Sequence, residues 1–503
     1  MSKFSDYLAD CVHNSHLNVS QLAKLAGFNR THLQKILIGE RFINNEEQFI
    51  GILKELNLPW EKEQELRKLY KIEQLGEKHY EQMLCVLEFI KKFQKAQPVQ
   101  PISTNITAQV ASKGTFPVQG QSSVLYYLQN ALNNVKAKPS QEQQIYLIAQ
   151  NTPILFETIA SQLYGLHTIH LEHIIYYQAA NENKEYQIKN LIISKNILPL
   201  ILANMHYMPM AIYQGHLEHQ IAQSLLPGLY IDDNIIINFQ ENFARALISF
   251  DKEIISFYKN LFFEQKRKAK PLIHTYENTN FFLPYANGLT QHNKNDIQYF
   301  LIYGPCLLKY MNTKQLLSYV HKEYLEDTSF MQSLFHYAET LAQMPCAINY
   351  YTKQGVLRFM EDGRDLQIPT FLIEPVTMEE RIEVLKALMQ QNTNTNRSDY
   401  LLKEDYFSYE SALSISCYSP TSIIFYFGEG DEENTFFFHE NSFNNSIHDF
   451  LSNLMQTDLV YSYEETKAFL EEVLQQYTPG NNVIVIAAEF LSNINNRKII
   501  KGA

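Results

Sequence analysis

The chain is poor in the residues that mark several function classes. Its five cysteines (Cys11, Cys85, Cys306, Cys346, Cys417) are scattered over 503 residues with no CxxC pair. That excludes a disulfide framework and a cysteine-rich zinc module, and it fits a reducing, cytoplasmic setting. No apolar run of signal-peptide type opens the sequence. Apolar stretches such as "NLIISKNILPLILANM" are broken by Lys195, Asn196 and Pro199. They fall short of the roughly 18 uninterrupted apolar residues that a spanning helix needs, so no membrane segment is expected. Walker A, GxGxxG, GxSxG and the kinase set are all missing, and "FGEGDEE" is an acidic turn whose carboxylates would repel phosphate. The chain is therefore read as no enzyme, with no cofactor.

What is present is a folded chain long enough for about two to four domains, with 45% hydrophobic and 19% charged residues. The net charge is −12, yet residues 1–45 carry five Lys/Arg (Lys3, Lys24, Arg30, Lys35, Arg41) against three acids (Asp6, Asp10, Glu40), a local +2. Such asymmetry permits a polyanion-binding head on an acidic body.

In the head, Phe4, Leu8 and Val12 suggest a first helix over 5–16. Asn18 and Gln21 have the spacing of a capping box, opening a second helix with Leu22, Ala23 and Leu25 inward. Gly27 supplies the positive φ that ends it. Phe28 is the buried pivot and Asn29 caps a third helix, whose core face is Leu33, Ile36 and Leu37. Arg30, Thr31, Gln34 and Lys35 are left pointing outward. A fourth helix follows Asn44 and Asn45, with Phe49, Ile50, Leu53 and Leu56 inward, and Trp60, the sole tryptophan, is read as core.

These residues resemble the Cro/C1-type (Xre) helix-turn-helix family, whose "LAxxAGFxRxxLxxIxxGxR" register is kept between Leu22 and Arg41. One position departs: Val19 stands where many members have Gln. The resemblance covers residues 5–58 and implies that the third helix enters a DNA major groove, where Arg30, Thr31, Gln34 and Lys35 reach base edges. An Arg fork suits guanine, Gln suits adenine, and Thr suits a thymine methyl. Asn29, Arg41, Asn44 and Asn45 are the expected phosphate contacts. Such heads normally read paired half-sites, so a homodimer on a double-stranded operator is expected.

The domain reading is a helix-turn-helix head over 1–75, a connecting helix over 76–93, a linker over 94–123, a helical effector or dimerisation body over 124–345, and a smaller α+β portion over 346–503. The connecting helix is apolar nearly all round, and Met83, Leu84, Leu87 and Ile90 are its candidate dimerisation and coupling residues. The linker gains Pro, Ser, Thr, Gln and Gly. The fold class expected is mainly α, with a five-helix head and a large helical body. Segments such as "EQQIYLIAQNTPILFETIASQLYG" and "NFARALISFDKEIISFYKNLFFEQ" read as helical, and their converging faces would suit a small apolar or peptide effector. The 34-residue tetratricopeptide pattern is absent.

"HLEH" occurs twice, at His170–His173 and His216–His219, with His167 before the first. On a helix, positions i, i+3 and i+6 drift apart, no soft ligand is near, and no metal site is assigned. "EQKRKAKP" reads as a basic helix end. "TSIIFYFGEGDEENTFFFHE" alternates about a turn as a β-hairpin, and "QQNTNTNRSD" as an exposed loop. The function this supports is a dimeric, sequence-specific transcriptional regulator. A peptide receptor or interaction scaffold with a helix-turn-helix head is the alternative.

Overall fold

In a computed structural model, the structure describes residues 2–94, 113–179, 184–203, 205–214, 227–240, 242–276, 297–302, 304–342, 347–364, 372–393, 398–404, 407, 413–427 and 434–478. The chain divides into two compact units, Met1–Cys85 and Val86–Ala503.

The first unit is helical: α1 (Lys3–His13), α2 (Val19–Leu25), α3 (Arg30–Leu37), α4 (Glu46–Leu56), α5 (Trp60–Leu75) and the start of α6 (Glu77–Gln94). Phe4, Leu8, Leu22, Leu33, Ile36, Phe49, Ile52 and Tyr70 form its core. Phe49 and Tyr70 stack with ring centres 3.9 Å apart, and burial pushes the Tyr70 hydroxyl up to about 12. Three inward assignments are corrected. Ile50 is exposed and Ile52 takes its place, because Phe49, Ile52, Leu53 and Leu56 share one helical face. Leu25, in the last turn of α2, is exposed. Trp60 is 74% exposed, since it opens α5 directly after Pro59 and the buried face of that helix begins only at Leu66.

The second unit overturns the mainly α expectation, because it is built on two large mixed sheets and is an α/β fold. The first sheet contains β1 (Thr115–Gln119), β2 (Gln143–Ile148), β3 (Ile169–Gln178), β4 (His206–Gln214), β5 (Gly228–Ile231), β6 (Ile236–Phe239), β7 (Arg245–Ser249) and β8 (Lys270–Pro271). Its spatial order is β1-β7-β6-β5-β2-β3-β4-β8. The second contains β9 (Ile273–Tyr276), β10 (Gln298–Leu301), β11 (Ala347–Thr352), β12 (Asp399–Leu402), β13 (Leu413–Ser419), β14 (Ser422–Phe427) and β15 (Asn434–Phe438). Read from β9, its order is β9-β15-β14-β13-β10-β11-β12.

β1 to β7 and β9 to β15 therefore share one plan. In each sheet the first strand pairs antiparallel with the last. The next three strands run parallel, and an antiparallel meander follows. The body is a tandem repeat of this seven-stranded plan, which no sequence period announced. Leu272 stitches the lobes together: its N–H donates to the Pro209 carbonyl in β4, and its own carbonyl accepts from His439 N–H after β15.

The segments read as helical contain strands as well. "EQQIYLIAQNTPILFETIASQLYG" is β2, a turn and helix α8 (Pro153–Leu163), and "NFARALISFDKEIISFYKNLFFEQ" is β7 followed by the helix Lys252–Lys266. Central parallel strands are buried on both faces and lose the alternation that betrays a strand. The helices that were expected to enclose an effector groove cover these sheets instead: α7 (Gln121–Lys136), α8, and α9 (Lys184–Asn196) all bury their apolar faces. Residues Thr115–Gln119, at the end of the low-periodicity stretch, form the edge strand β1. Asn392 and Asp399, at either end of the expected exposed loop, are buried.

Candidate nucleic-acid interface

The geometry of the head follows from its caps and turns. Asn18 Oδ1 accepts from Gln21 N–H at 3.0 Å while Gln21 Oε1 accepts from Asn18 N–H at 3.0 Å, so α2 starts at a closed capping box. The α2–α3 turn passes through Gly27 at φ 72°, where a Cβ would be strained whatever the space. Asn29 Oδ1 accepts from Thr31 N–H at 2.9 Å and fixes the start of α3. Leu33, Ile36 and Leu37 then anchor α3 to the core.

The opposite face of α3 is free. Arg30, Thr31 and Gln34 are exposed and Lys35 is half-buried. Among the described residues, none of these four side chains has a hydrogen-bond or ion-pair partner. Arg41, Asn44 and Asn45 are exposed as well. Asn45 Oδ1 caps α4 by accepting from Glu47 N–H at 2.8 Å, which leaves its amide N–H2 group as a donor. Glu46 and Glu47 occupy the first turn of α4, and Glu46 is paired with Lys71 at 3.1 Å. One residue escaped the sequence reading: Ile38 is 47% exposed. It follows Thr31 by seven positions, close to two helical turns, so the spacing alone places it on the same face.

The connecting helix is placed differently from a free dimerisation surface. Val86, Leu87, Phe89 and Ile90 are buried, Met83 is half-buried, and Leu84 is exposed. Phe89 packs edge-on against Phe443 at 5.0 Å and lies 6.0 Å from Phe425, and Glu88 pairs with Lys195 at 2.7 Å. This part of the helix thus meets the chain's own body, with Leu87 and Ile90 buried.

The first histidine cluster does not lie on a helix. His170 and His173 are in β3, and His170 stacks on His206 of β4 with ring centres 4.7 Å apart. His173 is fully buried, with Nε2 2.8 Å from the Ala149 carbonyl and Nδ1 2.8 Å from the Tyr207 hydroxyl. Burial holds it neutral, with its pKa lowered to about 3. His216 and His219 lie outside the described residues, and among those described no group of His, Cys, Asp and Glu could hold a metal ion. In the basic run, Lys266 pairs with Glu172 at 2.7 Å. The pocket between β2, β3 and β5, lined by Ile148, Gln150, Thr152, Tyr176 and Phe239, has room for about one water molecule. No described helix is long and apolar enough to cross a membrane.

No protein-family model matches the chain, and neither does any curated protein. Among solved structures, the archaeal chromatin protein TrmBL2, which shows a novel mode of DNA binding, is similar over 54% of this chain and 95% of its own, at 11% identity and a TM-score of 0.22. Polyphosphate kinase from Porphyromonas gingivalis is similar over 75% of this chain and 56% of its own, at 11% identity and a TM-score of 0.20. Likenesses this loose carry no argument about fold or function.

Proposed function

We propose that the protein is a sequence-specific DNA-binding transcriptional regulator of the Xre helix-turn-helix type that acts as a homodimer. The observation that carries this reading is the unpartnered face of α3. A short helix anchored by Leu33, Ile36 and Leu37 holds out a fork donor, a hydroxyl, an amide and an ammonium beside a tight glycine turn. Arg30, Thr31, Gln34 and Lys35 read base edges in the major groove. Asn29, Arg41, Asn44 and Asn45 fix the register on phosphates. At α4 this works through the amide donor of Asn45 rather than the helix dipole, because Glu46 and Glu47 stand in the first turn.

Two heads are needed because one offers only about four base-reaching side chains, while linking two raises the effective concentration to roughly millimolar. The test is recovery of genomic DNA fragments by the purified full chain, followed by titration of the enriched duplex at increasing salt. A single enriched palindromic motif, with affinity falling steeply as salt rises, is the expected result. Absence of enrichment, or binding indifferent to salt, would overturn the reading.

A further inference from the structure

The tandem repeat makes one helix comparable with another inside the same chain. In the second lobe, the helix Asn441–Leu454 follows the last meander strand and is capped by Glu440. In the first lobe, Lys252–Lys266 follows β7 in the same way and is capped by Asp251. The second-lobe helix is enclosed. Ser442, Phe443, Ser446, Ile447, Phe450 and Leu451 are all buried on it. Its cover includes α9, whose Asn190 amide donates to Ser442 Oγ at 3.3 Å, and Phe89 of α6.

The first-lobe helix packs on its sheet through Ile255 and Phe262, and among the described residues no comparable cover lies on its outer face. Counting from the caps, Phe257 and Leu261 stand where Ser446 and Phe450 are buried. Here they are 59% and 39% exposed. Two positions enclosed in one lobe thus have open apolar counterparts in the other, while Phe262, the counterpart of Leu451, stays buried. An apolar stripe left open at the surface suits a cap from outside the lobe.

We propose that a second copy of this chain supplies that cap, the two Lys252–Lys266 helices packing across a two-fold axis with Phe257 of each against Leu261 of the other. The charge around the stripe suits a second copy. The whole chain carries −12 and two copies repel. This face is close to local balance, with Asp251, Glu253 and Glu264 against Lys252, Arg267, Lys268 and Lys270, all exposed and none in an ion pair among the described residues. An isologous contact places one patch on itself and so requires such balance. The inference deepens the reading of the protein as a dimeric regulator by naming where the copies meet. It does not depend on DNA binding.

The experiment measures the solution mass of the full chain by sedimentation across a concentration series, for the wild type and for Phe257→Asp and Leu261→Asp. Both side chains are exposed, so the melting temperature serves as the check that the variants fold. Leu325→Asp, at another exposed apolar position, is the control. The expected result is a dimer whose dissociation constant rises at least roughly thirtyfold in either variant and stays unchanged in the control. A monomeric wild type would overturn both the surface and the dimer. A dimer indifferent to both substitutions would overturn the surface alone and leave the dimeric reading standing. Operator binding by the isolated heads is a separate measurement that neither result changes.

Discussion

In residues 1–85, a set of charged, hydroxyl and amide side chains (Arg30, Thr31, Gln34, Lys35) points away from the core and has no hydrogen-bond or ion-pair partner among the described residues. In residues 86–503, a set of similar chemistry points inward and is saturated. Asp399, 1% exposed at the start of β12, accepts from Lys309 Nζ at 3.1 Å, the Tyr310 hydroxyl at 3.0 Å, the Asn349 amide at 3.0 Å and the Ser398 hydroxyl at 2.7 Å. The difference separates two uses of polarity. A buried charge without a partner is costly, and the set around Asp399 is a closed network. An exposed helix face tolerates open donors and acceptors, and their remaining open among the described residues is what suits them to an external partner.

The largest effect that could break this comparison is loss of the cation from the inward set. Lys309→Met keeps most of the side-chain volume and leaves the Asp399 carboxylate buried without its counter-charge. Denaturant unfolding should show a loss of about 3–5 kcal/mol. Adding Asp399→Asn removes the stranded charge and should recover most of that loss. A neutral single variant would mean that the network does not hold the helices after β10 to the sheet.

The outward set predicts the reverse pattern. Arg30→Ala and Gln34→Ala should each leave stability within about 0.5 kcal/mol. Competition binding should show discrimination among duplexes falling by about 1–3 kcal/mol. Unchanged sequence preference in both variants would remove the base-reading assignment. Lost stability would mean that these side chains belong to the core after all.

The same contrast explains what could be read from the sequence. Local signals in the head were legible because each rests on neighbouring residues: Asn18 with Gln21, Gly27 in the turn, Asn29 before α3. The free face of α3 followed from spacing once Leu33, Ile36 and Leu37 were placed inward. The hairpin of β14 and β15, Ile424 opposite Phe437, was legible from alternation about a turn rich in Gly, Asp and Glu. The sheets were not. β3 reads "IHLEHIIYYQ", and its His173 and Gln178 are buried beside Ile174, Ile175 and Tyr177. A buried polar residue such as His173, satisfied by Ala149 and Tyr207, erases the two-residue period, and a strand covered on both faces has no polar side to display. Nor could the sequence say what would cover Leu87 and Ile90. An all-round apolar helix announces burial without naming the surface that buries it.

A smaller effect tests the inward set through pH. His173 has a folded pKa of about 3 against 6.5 for the free side chain. Above pH 6.5 the folded and unfolded forms are both neutral there, so this residue adds no pH dependence. Between 6.5 and about 3 the unfolded chain binds a proton that the folded chain refuses. Stability should therefore fall as pH falls, by up to about 1.4 kcal/mol per pH unit from this residue. Asp232 and Glu440, whose carboxyls burial pushes up, contribute with the opposite sign, so the comparison must be made against a variant. His173→Gln can still donate to the Ala149 carbonyl and accept from Tyr207 but does not titrate. Its denaturant midpoint should vary less steeply than the wild type's between pH 6.5 and 5. Equal slopes would mean that His173 is not held neutral.

The last test turns to the expected phosphate contacts, where a side chain can also hold the fold. Asn18 and Asn45 both cap helices, Asn18 for α2 and Asn45 for α4, and only Asn45 belongs to the phosphate-contacting group. Alanine at either position should cost about 1 kcal/mol of stability through the lost cap. Operator affinity should fall only with Asn45→Ala. That variant alone confounds cap with contact, and Asn45→Asp separates them. Aspartate caps as well as asparagine, so the bonds from Glu47 N–H and Gln48 N–H survive and stability should stay within a few tenths of a kcal/mol. The substitution replaces the amide donor with a carboxylate beside Glu46 and Glu47. A phosphate at that position would then be repelled, and affinity should drop for every duplex alike, by about 1.5–3 kcal/mol, with sequence preference retained. Undiminished affinity in Asn45→Asp would confine Asn45 to its structural role and leave Asn29, Arg41 and Asn44 as the backbone contacts.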